Sequence, residues 1–168
     1  MEPPTEEDLL ALSRRVGDAC RSGGRSVGTA ESCTGGLIAH LITEIPGSSE
    51  YFLGALVTYA NDVKTGLADV PPPVLEAHGA VSAQVARAMA EGARSRLGVD
   101  VAVAVTGVAG PDGGTTAKPV GLTYVAVADP GGDDVRRYVW DSDRTGNKRL
   151  SAAAALELLL DRLAVPGA

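Results

Sequence analysis

The sequence predicts a three-layer α/β/α sandwich with a mixed, mainly parallel sheet of about five strands. Three observations carry that prediction. Helical and extended patterns alternate along the chain. Residues 100–106, DVAVAVT, form the near-continuous apolar run that a central strand covered on both faces requires. A turn at Asp129-Pro130-Gly131-Gly132 joins two late strands as a hairpin, which makes the sheet mixed.

Each element has its own local cause. Leu9, Leu12, Val16 and Cys20 make one apolar helical face across residues 6–22, and Gly23-Gly24 stops it. Residues 26–30 read as a short strand. A helix over residues 34–45 follows, carrying Leu37, Ile38, Leu41 and Ile42 and ended by Pro46-Gly47. Residues 52–60, FLGALVTYA, read as a second strand, and 61–67 as a helical turn. Pro71-Pro72-Pro73 breaks the chain before a short piece around Leu75. Ser82 caps a long helix running to Leu97 with Gly98 closing it. After the strand at 100–106, a Gly-rich loop over 107–119 leads into strands at 120–128 and 135–140. A helix rich in Ala and Leu covers 148–163.

Length and charge bound what such a chain does. At 168 residues it is expected to be a single domain, 1–168, burying roughly 70% of its unfolded surface. A net charge of −6 and a pI near 4.9 argue against a nucleic-acid surface. No apolar run is long enough for a bilayer. The acidic start MEPPTEED lacks the basic and apolar regions of a signal peptide, so the protein is expected in the cytoplasm. The two cysteines, Cys20 and Cys33, have no zinc or redox spacing. Alanine-rich helices and few aromatics fit a homo-oligomer.

The most informative stretch is Ala30-Glu31-Ser32-Cys33-Thr34-Gly35-Gly36, where a strand passes through a tight turn into a helix. A hydroxyl placed there suits a nucleophile, an anion cradle or a plain helix cap. In open α/β sheets a ligand lies beyond the carboxyl ends of the strands. Three segments are expected to converge at that edge: the Ser32 turn, Tyr59 to Lys64, and Thr106 to Pro111. They bring Ser32, Thr34, Tyr59, Lys64 and Thr106 together without a histidine. A serine nucleophile there must use lysine, or a tyrosine relay, as its base, and such a lysine needs a lowered pKa. Cys33 is the rival nucleophile, or else a small residue packed under the turn. His40 and His78 have no acid partner nearby and are assigned structural roles. Asp112 is the only carboxylate in the Gly-rich loop, too few ligands for a metal site, so neither metal nor other cofactor is expected.

The chain resembles the CinA C-terminal domain family, the nicotinamide-nucleotide amidohydrolases. The matching segments are TAESCTGG (29–36), IPGSS (45–49), VTYAN (57–61) with Lys64, and HGAVS (78–82). AVAVTGVAGPDGG (102–114), KPVG (118–121) and Asp143-Arg144 complete the set in family order. The resemblance implies hydrolytic deamidation of nicotinamide mononucleotide to nicotinate mononucleotide and ammonia, in pyridine-nucleotide salvage. Ser32 would attack the carboxamide, Lys64 would move the proton, and Tyr59 would orient or relay it. Backbone N–H groups at the start of the helix beyond Ser32 would receive the oxyanion. Thr34, Gly35, Gly36, Thr106, Gly107 and Gly110 would shape the substrate site. Arg144, with Lys148 or Arg149, would hold the phosphate, unless Arg144 pairs with Asp141 or Asp143 on the surface. Lys148 stands near the place of the family's usual second arginine and offers a point charge where that residue offers a fork. Larger members carry a further N-terminal domain linked to ADP-ribose hydrolysis, an activity not expected of this chain. The alternative is a non-catalytic nucleotide-binding or regulatory module of the same fold.

Overall fold

The computed structural model describes residues 1–166. Its middle layer is a five-stranded mixed sheet in the order β2-β1-β3-β4-β5. β1 (Val27–Glu31) lies parallel to both β2 (Phe52–Val57) and β3 (Val101–Gly107). β4 (Leu122–Asp129) runs antiparallel to β3, and β5 (Gly132–Val139) antiparallel to β4. Only β4 is therefore reversed, and the sheet is mixed and mainly parallel, as the alternating pattern requires.

The two faces of the sheet differ in side-chain size. Val101, Val103 and Val105 of β3 face one side, where they join Val125, Val127 and the leucines of α6 (Arg144–Leu163). α1 (Glu6–Gly23) and α2 (Leu37–Thr43) complete that layer. Ala102 and Ala104 face the other side with Ala30, Ala126 and Ala128, against Val85, Met89 and Ala93 of α5 (Ala83–Leu97). Small residues there let α5 lie close to the sheet. α3 (Asn61–Ala68) and α4 (Pro72–His78) sit beside α5. Where α5 crosses α3 only glycine fits, because a Cβ built at Gly92 would lie 1.6 Å from the Ala68 carbonyl oxygen. Among the described residues no helix is long and apolar enough to cross a membrane.

Several boundaries differ from the local pattern, each for a physical reason. α2 begins at Leu37 and not at residue 34, because Gly35 and Gly36 adopt φ of +63° and +100°. Those left-handed values end any helix and favour glycine. β2 stops at Val57, short of residue 60, because Ala60 already serves as the N-cap of α3. The prolines at 71–73 do not merely break the chain: Pro72 and Pro73 open α4, where a missing N–H costs nothing. α6 starts at Arg144, before the expected residue 148, because the Asp143 carboxylate accepts from Gly146 N at 2.7 Å and caps it. β5 likewise starts at Gly132, directly after the turn.

Candidate active site

Parallel β1, β2 and β3 bring their carboxyl ends to one edge of the sheet. A cleft of about 280 Å³ opens there, lined by Ser32, Tyr59, Lys64, Thr106, Gly110 and Arg144 among others. The three predicted segments therefore do converge.

At its base is a buried amine. Lys64 stands on α3 and is 1% exposed. Its Nζ lies 3.0 Å from Ser32 Oγ, 2.8 Å from the Thr58 carbonyl oxygen and 3.0 Å from that of Tyr59. Burial pushes its pKa below the ordinary lysine value of 10.5. A neutral amine has two N–H donors and one lone pair. In that form the two carbonyls can take both donors, and the lone pair can accept the Ser32 hydroxyl proton. Ser32 is itself held: its N–H donates to Val105 O at 3.0 Å and its carbonyl accepts from Gly35 N at 3.0 Å.

Tyr59 is placed differently from a simple relay. It is 61% exposed, and its phenol oxygen accepts from Arg144 Nη2 at 3.3 Å. Its main-chain carbonyl, and not the phenol, touches Lys64. Arg144 also donates to the Gly110 carbonyl at 2.5 Å, while Asp143 is occupied as the α6 cap. The arginine thus spans the cleft mouth and does not pair with Asp141 or Asp143. The Lys148 amine lies 3.9 Å from where a Cβ of Gly35 would stand, over the glycine turn. It has no carboxylate partner among the described residues.

The remaining predicted residues divide between lining and support. Thr106 lines the cleft, and its hydroxyl donates to the Ala80 carbonyl at 2.8 Å. Gly107 meets Cys33 and β4 so closely that a Cβ would come within 2.7 Å of Leu122 O. The Thr34 hydroxyl is buried and donates to Glu31 Oε1 at 2.8 Å, so it serves the fold and does not line the cleft. Burial pushes the Cys33 thiol up to about 12, leaving almost no thiolate at neutral pH. Its Sγ packs against Gly107. The small-residue alternative for Cys33 is the one the packing matches.

Part of the donor set expected at the helix start is already taken. Ile38 N and Ala39 N donate to the Glu31 carboxylate at 2.9 and 3.0 Å, and His40 N donates to Gly36 O. Among the described residues the turn's N–H groups without a hydrogen-bond partner are those of Cys33, Thr34 and Gly36. Asn147 adds a contact: its Nδ2 donates to Ala109 O at 3.0 Å and fastens the Gly-rich loop to α6. No local signal marks that contact, because its partners are 38 residues apart. Among the described residues no three His, Cys, Asp or Glu side chains gather as a metal site would need.

Fold and cleft together define an α/β/α domain with a serine–lysine pair at the carboxyl edge of its parallel strands. The profile of the CinA C-terminal domain family matches residues 9–163, and the chain belongs to that family. It is 48% identical over 165 residues to a CinA-like protein of Geobacter sp. (strain M21), covering 96% of this chain and 40% of that protein. A CinA-like protein of Geobacter sulfurreducens is 52% identical over 143 residues, covering 85% of this chain and 35% of its own. The chain thus spans about two-fifths of the length of the curated relatives it matches. The competence/damage inducible protein CihA from Agrobacterium tumefaciens has a similar structure, with TM-score 0.86 and 42% identity over 96% of this chain and 98% of that one. A CinA superfamily protein from Klebsiella pneumoniae superposes with TM-score 0.89 at 29% identity, over 93% of this chain and 98% of that one.

Proposed function

We propose that this chain hydrolyses the carboxamide of nicotinamide mononucleotide, releasing ammonia and nicotinate mononucleotide. The observation that carries this proposal is the buried Lys64 amine 3.0 Å from Ser32 Oγ. Such a pair activates a serine without a histidine. Lys64 takes the Ser32 proton as Oγ attacks the carboxamide carbon. The unpaired N–H groups of the turn at Cys33 and Thr34 receive the oxyanion, where each such donor is worth roughly 2.7–4 kcal/mol of barrier. The protonated Lys64 then delivers its proton to the departing ammonia, leaving an ester on Ser32. Water, deprotonated by the same amine, cleaves that ester and restores both groups. Arg144 and Lys148 supply cations at the cleft mouth and over the glycine turn, suited to a phosphate.

The test is ammonia release from nicotinamide mononucleotide in the presence of chelator. Wild type and Cys33→Ala are expected to turn over, with Ser32→Ala and Lys64→Ala inactive. A wild type that binds the nucleotide without releasing ammonia would replace the enzyme with a binding module. Loss of activity in Cys33→Ala alone would move the nucleophile to the thiol.

A further inference from the structure

We propose that Glu31 is a positioning residue that holds both the nucleophile and its neighbouring N–H donors in place; this rests on the amidohydrolase assignment above. Glu31 ends β1, directly before Ser32, and is 0% exposed. Burying a carboxylate carries a large desolvation cost. Among the described residues no arginine or lysine forms an ion pair with it. Four hydrogen bonds take that place. Oε1 accepts from Thr34 Oγ1 at 2.8 Å and Ile38 N at 2.9 Å. Oε2 accepts from Thr29 Oγ1 at 3.2 Å and Ala39 N at 3.0 Å.

These partners lie on both sides of the nucleophile. Thr29 is in the strand before it, Thr34 in the turn after it, and Ile38 and Ala39 in the helix beyond. One planar, rigid group therefore ties strand end, turn and helix start together around Ser32. The bond from Thr34 closes a small ring, Glu31 to Thr34, that contains Ser32 and Cys33. The carboxylate takes the N–H groups of Ile38 and Ala39, while those of Cys33, Thr34 and Gly36, in the turn it braces, have no partner among the described residues. A neutral cap satisfies a helix end at less desolvation cost. What the carboxylate adds is four acceptor sites on one group, with both oxygens bonded twice.

Glu31→Gln keeps the shape but turns an NH₂ toward two of the four donors. Thr34→Val removes one donor and leaves the carboxylate. Both variants and their combination are assayed for kcat and KM of ammonia release from nicotinamide mononucleotide. The rate of Ser32 labelling by a small alkyl fluorophosphonate is measured alongside. In that labelling Oγ bonds to phosphorus, the P–F bond breaks, fluoride leaves and Lys64 receives the hydroxyl proton. The labelling reports Ser32 reactivity whatever the natural substrate.

For Glu31→Gln, kcat and the labelling rate are expected to fall together by about 100-fold, the scale of a 1 Å misplacement, with KM changed less than about twofold. Thr34→Val is expected to fall in the same sense by less. The double variant is expected to be no worse than Glu31→Gln, because Thr34 acts through Glu31. Unchanged labelling in a folded Glu31→Gln, or a KM that rises while kcat holds, overturns the positioning role. If Glu31→Gln does not fold, Thr34→Val decides alone: unchanged kcat and labelling there overturn the proposal. A wild type that is labelled at Ser32 yet releases no ammonia refutes the substrate assignment, and the labelling series still decides Glu31.

Discussion

Replacing Gly92 by alanine asks whether the crossing of α5 over α3 is what presents Lys64 to Ser32. A Cβ at Gly92 would lie 1.6 Å from the Ala68 carbonyl oxygen, 2.5 Å from its carbon and 3.2 Å from its Cα. Real Cβ contacts do not fall below 3.0 Å, so the helices must part by roughly 1.5 Å. The obstacle is backbone, which cannot rotate aside. Gly to Ala in a helix interior gains about 1 kcal/mol of propensity, while overpacking costs about 1–3 kcal/mol and occasionally more. A backbone clash this close lies at the costly end, for an expected net loss of about 2 kcal/mol. Ala68 is one helical turn beyond Lys64, so the displacement passes along α3 to the amine. The 3.0 Å Lys64–Ser32 contact would open, and about 100-fold of ammonia release would go with it. Urea unfolding and the ammonia assay read the two effects. The control is Gly66→Ala on α3, where a Cβ meets nothing within 4 Å. It should gain about 0.5–1 kcal/mol and keep its activity. Wild-type stability in Gly92→Ala would refute the reasoning.

Two further outcomes follow from buried charge. Burial lowers the Lys64 pKa and the neutral amine is the base, so kcat/KM should rise with pH through a value below 10.5. Lys64→Arg, protonated throughout, should stay inactive across the profile, and activity in that variant would exclude lysine as the base. The second concerns Asp129, 9% exposed at its side chain, which meets Arg162 Nε at 2.8 Å and Arg25 Nη2 at 3.0 Å. The Arg162 hydrogen bonds, with those from Arg25 and Gly131, hold its carboxyl well below the usual carboxylate range. Its stabilisation is therefore full above about pH 4 and fades as pH falls below that value. Asp129→Asn should cost about 3–5 kcal/mol in urea unfolding at pH 7, with a weaker loss of stability on acidification than wild type. Equal unfolding midpoints at pH 7 would exclude this role.

Much of the fold was legible in local pattern. The Ser82 cap and closing Gly98 bound α5, and the DVAVAVT run is the central β3, because caps and burial period act over a few residues. Convergence of the three loops followed from strand direction, since parallel strands put their carboxyl ends on one edge. The start of α2 departs from the local pattern because the left-handed φ of Gly35 and Gly36 overrides the apolar period around them. Glu31 carried no local signal: it stands six residues before Leu37, outside the reach of any capping pattern, although its donors lie within eight residues.

The chemistry of Lys64 was decided elsewhere. Read along the chain, it is one of three lysines, with nothing local to separate it from a solvated amine. Its burial comes from the packing of α3 against α5, at a crossing that Gly92 permits. Two of its three partners are main-chain carbonyls, which every sequence supplies and no residue type announces. The contact from Tyr59 to Arg144 joins residues 85 apart and likewise depends on how α6 meets the β2 side of the cleft. Sequence by itself determined the elements, the sheet edge and the candidate nucleophile, because propensity, caps and burial period are local. Tertiary structure alone decided which amine reaches that nucleophile and which donors stay free, because those distances are set by helices packing from distant parts of the chain.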